Sequence, residues 1–159
     1  RVIKMVGRYL DQTVPAVDEV AWKETSAGPE PWPQIAASAV NAWREAFEAL
    51  APSDAAEAAL RLVRHVNEFI DAREPFRLAR DMEAHRDEVA SVLYHCLEGI
   101  RIASILLAPF MPEKAGAMLE RLDQPDPAGD PAGSRLEWGM LAAGTRIDPG
   151  PPLFPRYQP

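Results

Sequence analysis

EAHRDEVASVLYHCLEGIRIASILL, residues 83 to 107, is the stretch on which the fold turns. Val89, Leu93, Cys96, Ile100, Ala103 and Leu107 recur at alternating steps of four and three, the spacing of one face of an α-helix. Val92, Leu97, Ile102, Ile105 and Leu106 widen that stripe until little of the last half is polar. A helix apolar over so much of its circumference is a buried one. The pattern therefore predicts a central helix over residues 83 to 107 with the rest of the chain packed around it.

Working outward, APFMP at residues 108 to 112 ends or kinks that helix, and a short helix resumes over 113 to 122 with Pro112 near its first turn. Upstream, Leu62, Val63, Val66, Phe69 and Ile70 share one helical face while Arg61, Arg64 and Glu68 take the other. That helix restarts the chain after Pro52, where Ser53 or Asp54 is a cap candidate and Glu57 stands three residues beyond Asp54. It must stop before Pro75, because the residue preceding a proline is pushed out of the α region. Residues 34 to 50 form a further helix on Ile35, Ala36, Ala39, Val40, Trp43, Phe47 and Leu50. Residues 1 to 12 read as the end of another, with Arg1, Lys4 and Arg8 at three- and four-residue steps on its polar side. Residues 13 to 33 carry Pro15, Gly28, Pro29, Pro31 and Pro33 and read as a connector.

Four to five helices with no period-two alternation predict an all-α fold, an antiparallel helical bundle with an extended C-terminal tail. Residues 1–122 are the bundle. Residues 123–134, DQPDPAGDPAGS, hold nothing apolar larger than alanine and read as a flexible linker. Residues 135–159 regain Leu136, Trp138, Met140, Leu141, Ile147, Leu153 and Phe154 and form a tail that packs on something, with Trp138 and Phe154 as its expected anchors.

The 159 residues, net charge -7 and pI near 5.0 describe one soluble globular domain, with 47% apolar and 26% charged residues enough for a core. Cys96 is the only cysteine, which excludes an internal disulfide framework and fits a reducing compartment, so the expected localisation is cytoplasmic. No apolar run reaches the roughly 18 residues of a membrane span, and no signal peptide opens the chain. A first residue other than Met, inside an amphipathic pattern, reads as a cut from a longer polypeptide. An acidic chain is no nonspecific nucleic-acid binder, but a local basic patch is allowed.

Enzymatic signatures are lacking. His65, His85 and His95 with Cys96 match no zinc spacing, so no metal site is expected, and His65 and His95 read as hydrogen-bonded structural residues. Neither phosphate-cradling glycine motifs nor a nucleophile elbow occurs. The carboxylate pairs Glu24 with Glu30 and Asp87 with Glu88 fall on loops or solvated faces. The chain as given holds no catalytic residue. Its most pointed local feature is FIDAREPFRLARD, residues 69 to 81, where Phe76 follows Pro75 among Arg73, Arg77 and Arg80. Phe76 is either a core anchor for the next turn or a ring presented to a ligand. The arginines are either a solvated face paired with Glu74 and Asp81 or contacts for phosphate.

Five segments in order carry a resemblance: RVIKMVGRYLDQTVP, VNEFIDAREPFRLARD, LYHCLEGIRIASILLAPFMPEKAGAML, LEWGMLAAGTRI and PPLFPRYQ. Together they resemble the C-terminal anticodon-binding domain of methionyl-tRNA synthetase, a class I aminoacyl-tRNA synthetase, over nearly the whole chain. In that family a PWxLAKD-like turn follows a helix, a later helix ends in LxPFMP, and the first domain helix opens with an NxxxR element. The resemblance implies recognition of the CAU anticodon of methionine tRNA, with Arg1 matching the arginine of that element and Phe76 the aromatic, usually Trp, that covers a base. The Asn of the element would lie four residues before Arg1, outside this chain. Arg73, Arg77 and Arg80 become candidate phosphate contacts, and Asn67 beside Val66 reads as a buried amide.

The same resemblance makes the chain part of a methionine-tRNA ligase whose ATP- and methionine-binding catalytic domain is absent from it, with no cofactor held by the chain itself. The expected partners are then the methionine tRNA anticodon loop and the catalytic domain of the same polypeptide, on which the tail packs if not on the bundle; no membrane is implied. The alternative is a free-standing synthetase-like paralogue that binds tRNA or protein without catalysis.

Overall fold

A computed structural model describes residues 1–18, 30–126 and 134–155. Among these lie helices α1 (Val2–Tyr9), α2 (Trp32–Glu48), α3 (Pro52–Arg73), a single turn α4 (Pro75–Leu78), α5 (Met82–Leu107) and α6 (Pro112–Arg121), then a 3-10 turn over Ser134–Leu136. The fold is an all-α bundle. The described residues contain no strand, only an isolated antiparallel bridge between Thr13 and Arg146. Most of the connector and the linker read from the sequence, residues 19–29 and 127–133, and the last four residues of the tail lie outside the described residues, as does Glu24 of the paired carboxylates.

The central helix is α5, packed against α1, α2, α3, α4 and α6. From Val89 to Leu106 it is buried almost all round, Ser91, Ile100 and Ile105 excepted. Its most apolar 18-residue window has a mean hydropathy of 1.4, enough by length and composition to cross a membrane, contrary to the sequence reading. The reason lies in packing: 83% of that window is covered by the bundle. Gly99 sets the approach of α3 to α5. A Cβ there would stand 2.6 Å from Val66 Cγ2, so glycine is what lets the two helices meet so closely, while Trp32 Cζ3, at 3.5 Å, would be in ordinary contact with it. Trp32 packs edge-on to Phe69, and the Trp43 indole N–H donates to Leu106 O at 2.9 Å, satisfying a carbonyl left over at the end of α5.

Local details depart from the sequence reading in instructive ways. Helix α3 starts earlier than a cap at Ser53 or Asp54 would place it, with Pro52 as its first residue and Ala51 as an N-cap that makes no side-chain bond, so neither Ser53 nor Asp54 caps it. Glu57 reaches forward to the Arg64 guanidinium instead of back to the cap. Asn67 is exposed, not buried: it lies one helical step past buried Val66 and so points off the core stripe.

Charge, not only apolar area, fixes the tail. Glu98 and Arg101 are both fully buried on α5, three residues apart, and meet in a two-point pair at 3.2 and 2.8 Å. A buried charge with unfilled bonding capacity would cost several kcal/mol. The tail fills it: Arg101 donates to Arg135 O and, at 2.6 Å, to Glu137 O, while Gly139 N and Leu141 N donate to the Glu98 carboxylate at 3.1 and 2.5 Å. With the backbone so held, Trp138 stacks on Trp32 at 5.4 Å and Leu141 and Ile147 enter the core. Phe154 does not anchor the tail; it is 68% exposed, with the Lys114 ammonium 5.7 Å from its ring centre.

Replacing Arg101 by Met strands the Glu98 carboxylate, and urea unfolding should show a loss of about 3–5 kcal/mol. Amide exchange should then accelerate across residues 135–141 beyond what the lower global stability accounts for.

Burial pushes the Cys96 thiol up from 9.0 to about 12, and burial followed by the Glu98 charge pushes the Tyr94 phenol up from 10.0 to about 12. Both groups stay protonated in the fold at pH values where the unfolded chain has released its protons, so the unfolded state binds fewer protons and stability falls as pH rises. The urea midpoint should be insensitive to these groups below about pH 9 and decline between about pH 9 and 12, and Cys96→Ala should flatten the lower part of that decline.

Candidate functional site

The chain reverses at the end of α3, and the reversal decides what Phe76 does. Arg73 is the last helical residue; Glu74 then takes φ 45° and ψ 52°, a left-handed conformation, and its N–H closes the helix on Ile70 O at 2.9 Å. A residue before proline is expected in the extended region, and a non-glycine residue in the left-handed one costs about 1–2 kcal/mol. The Glu74 carboxylate braces the corner through an ion pair with Arg77 Nη1 at 2.9 Å. Pro75 is buried and starts α4, and Asp81 caps α5 by accepting from Ala84 N at 3.2 Å. The anchoring role falls to Pro75, with Leu78 and Ala79 packed against the core. Phe76 is left facing outward, 39% exposed.

The arginines of the corner have separate surroundings. Arg73 lies over the buried Phe69 ring at 5.5 Å, Arg77 pairs with Glu74, and Arg80 is exposed with no partner among the described residues. Asp81 spends its carboxylate on the helix cap. Arg1, at the start of α1, reaches Asp71 on the last turns of α3 at 2.9 Å. That contact puts Arg1 at the same end of the bundle as the corner holding Phe76. Both partners are more than half exposed, so the pair is worth at most about 1 kcal/mol, and one carboxylate engages only part of a five-donor guanidinium fork.

Among the described residues no group of three or more His, Cys, Asp or Glu is placed to hold a metal ion. His65 and His85 each stand 3.6 Å from a carboxylate one helical turn on, Glu68 and Glu88, on accessible faces. His95 is buried, donating from Nδ1 to Ser91 O at 2.6 Å among Trp32, Phe69, Tyr94 and Trp138. What one end of the bundle does present is an accessible aromatic face beside guanidinium groups. Such a surface suits a flat, unstacked ring carried on an anionic backbone.

Two features escaped the sequence. Asp71 drew no notice because its partner Arg1 is 70 residues away. The Glu98–Arg101 pair did leave a signal, opposite charges three apart in an otherwise apolar helix, which helical geometry makes neighbours.

No family model matches the chain. Curated relatives do match it: a methionine–tRNA ligase of Bacillus subtilis is 32% identical over 162 residues, covering 99% of this chain and 23% of that protein. One from Enterococcus faecalis is 33% identical with the same coverage, and methionine–tRNA ligase 1 of Bacillus anthracis is 31% identical over 160 residues. The crystal structure of apo methionyl-tRNA synthetase from Mycobacterium tuberculosis superposes with a TM-score of 0.81 at 30% identity, covering all of this chain and 31% of that one. The same enzyme bound by methionyl-adenylate gives 0.82 at 29% identity. The chain thus spans about a quarter of the length of the curated relatives it matches. Its homologues are methionyl-tRNA synthetases, and along its whole length it corresponds to a helical segment of those enzymes.

Proposed function

We propose that this chain recognises the CAU anticodon of methionine tRNA as the helical, C-terminal anticodon-binding domain of a methionyl-tRNA synthetase, the enzyme that ligates methionine to its tRNA using ATP. The observation that carries the reading is the outward-facing Phe76 on a braced corner, in a chain whose full length matches methionine–tRNA ligases. Unstacked loop bases offer π-faces, and an exposed ring held on a rigid turn covers one at little ordering cost. Arg1 contributes base-edge or phosphate contacts from the same end of the bundle, and Arg73, Arg77 and Arg80 meet the loop backbone. Methionine and ATP are handled by the catalytic domain of the same polypeptide, so this domain positions tRNA and holds no cofactor. The compartment is the cytoplasm, where charged tRNA is consumed.

A second reading is a free-standing synthetase-like module that binds tRNA or protein without catalysis. The net charge of -7 favours it, since an RNA-facing domain is ordinarily basic.

Binding of a methionine anticodon stem-loop, followed by fluorescence anisotropy at fixed salt, separates the two. The wild-type chain should prefer CAU over a scrambled loop, and Phe76→Ala should weaken CAU binding by about 1–3 kcal/mol, the usual worth of a base on an aromatic ring. Equal affinity for both loops contradicts the anticodon reading.

A further inference from the structure

The basic side of α1 extends beyond Arg1, and nothing in the corner around Phe76 uses the rest of it. Lys4 and Arg8 follow at three- and four-residue steps, and α1 itself contains no acidic residue. Lys4 is exposed and has no partner among the described residues. It opens onto a cavity of about 390 Å3, walled by Arg1 and Lys4 on one side, Arg121 of α6 on another, and Ile100, Met118 and Leu153 beneath. None of the lining residues is acidic. Of the carboxylates around it, Asp71 pairs with Arg1 at the rim and Asp148 accepts from Gly150 N at 2.9 Å.

Arg121 is held in place by the tail. Its guanidinium donates to Pro151 O, its own carbonyl accepts from Asp148 N at 3.0 Å, and Gly150 packs directly on it. Gly150 takes φ +47°, a backbone conformation that other residues adopt only at a cost, and its Cα side lies against the Arg121 guanidinium. Lys4 and Arg121, from two helices, therefore face one concave cavity with no acidic lining residue, and Arg1, paired with Asp71, stands at its rim, in a chain of net charge -7. Cations brought together in this way repel one another and raise the local potential, a cost recovered when an anion enters.

We infer that Lys4, with Arg121 across the cavity, binds a backbone phosphate of RNA, a second phosphate site continuous with Arg1. This rests on the reading of the Phe76 corner as the anticodon site, from which Arg1 leads to the cavity. A phosphodiester contact fixes position and carries no base identity, so this site adds affinity evenly across sequences while Phe76 handles the loop.

The test is the salt dependence of binding to CAU and scrambled stem-loops by the wild-type chain, Lys4→Gln and Lys4→Arg. Each lost phosphate contact on single-stranded RNA removes about 0.7 from the slope of log K against log[salt], which is roughly fourfold in affinity at 0.15 M salt relative to 1 M. Lys4→Gln should show that shallower slope and the same loss for both loops, with an unchanged melting temperature because Lys4 is exposed and makes no hydrogen bond or ion pair among the described residues. Lys4→Arg should restore both. An unchanged slope in Lys4→Gln overturns the site and leaves the cavity to an acidic protein segment. A wild-type chain that binds both loops alike sinks the anticodon reading while the slope comparison still decides this one; no RNA binding by the wild type overturns both.

Discussion

The Glu98–Arg101 pair is the constraint from which the rest of the structure follows. Two opposite charges on the most buried helix would be a liability if they faced only each other, because a carboxylate and a guanidinium hold more bonding capacity than one pair consumes. The remainder is met by backbone groups of residues 135, 137, 139 and 141. The tail is thereby held by the same buried pair that lies at the centre of the bundle. The apolar contacts that follow, Trp138 on Trp32 and Leu141 and Ile147 in the core, could be met in several registers by hydrophobicity alone; the hydrogen bonds select one.

From that centre the bundle divides into a packed middle and a chemically distinct end. Helix α5 begins at the Asp81 cap, beside the reversal that follows α3, so the corner carrying Phe76 is attached directly to the buried core. The left-handed Glu74 stores about 1–2 kcal/mol of backbone strain, offset by burial of Pro75 and by the Glu74–Arg77 pair. Strain of this kind persists where the surroundings over-determine it, often at binding sites. Here its effect is geometric: it turns Pro75 inward and Phe76 outward. A ring already in place loses little freedom on covering a base, which favours recognition by a rigid platform.

Much of this was legible in the sequence, and the boundary of legibility is physical. The central helix, the stop before Pro75, the break at residues 108–112 and the all-α class follow from periodicity and from the missing N–H of proline, which act locally. Most helix bounds accordingly fell within two residues, as for residues 34 to 50 against Trp32–Glu48, whereas the first helix, read to residue 12, ends at Tyr9, with Asp11 and Gln12 at positive φ. The cap of α3 was misread because Pro52 already suits a first helical position, leaving Ser53 and Asp54 inside the helix, where their side chains cap nothing. Asn67 was misplaced by its apolar neighbour, although adjacent helical residues face about 100° apart. Phe154 was taken for an anchor alongside Trp138 as part of the closing segment, but only Trp138 meets the core. The contacts that organise the candidate site, Arg1 with Asp71 and Glu98 with the tail, join residues far apart in the chain, and no periodicity reports them.

The most direct test of the account maps where RNA touches this chain. In amide chemical-shift titration of the 15N-labelled protein with a CAU anticodon stem-loop, the largest changes should cluster at residues 69–81 and at the first turn of α1, with Trp43, Phe47 and Phe110 at the opposite end of α5 unmoved. Changes concentrated at that opposite end, or the same map with a scrambled loop at equal affinity, would contradict the assignment of this end of the bundle to anticodon recognition.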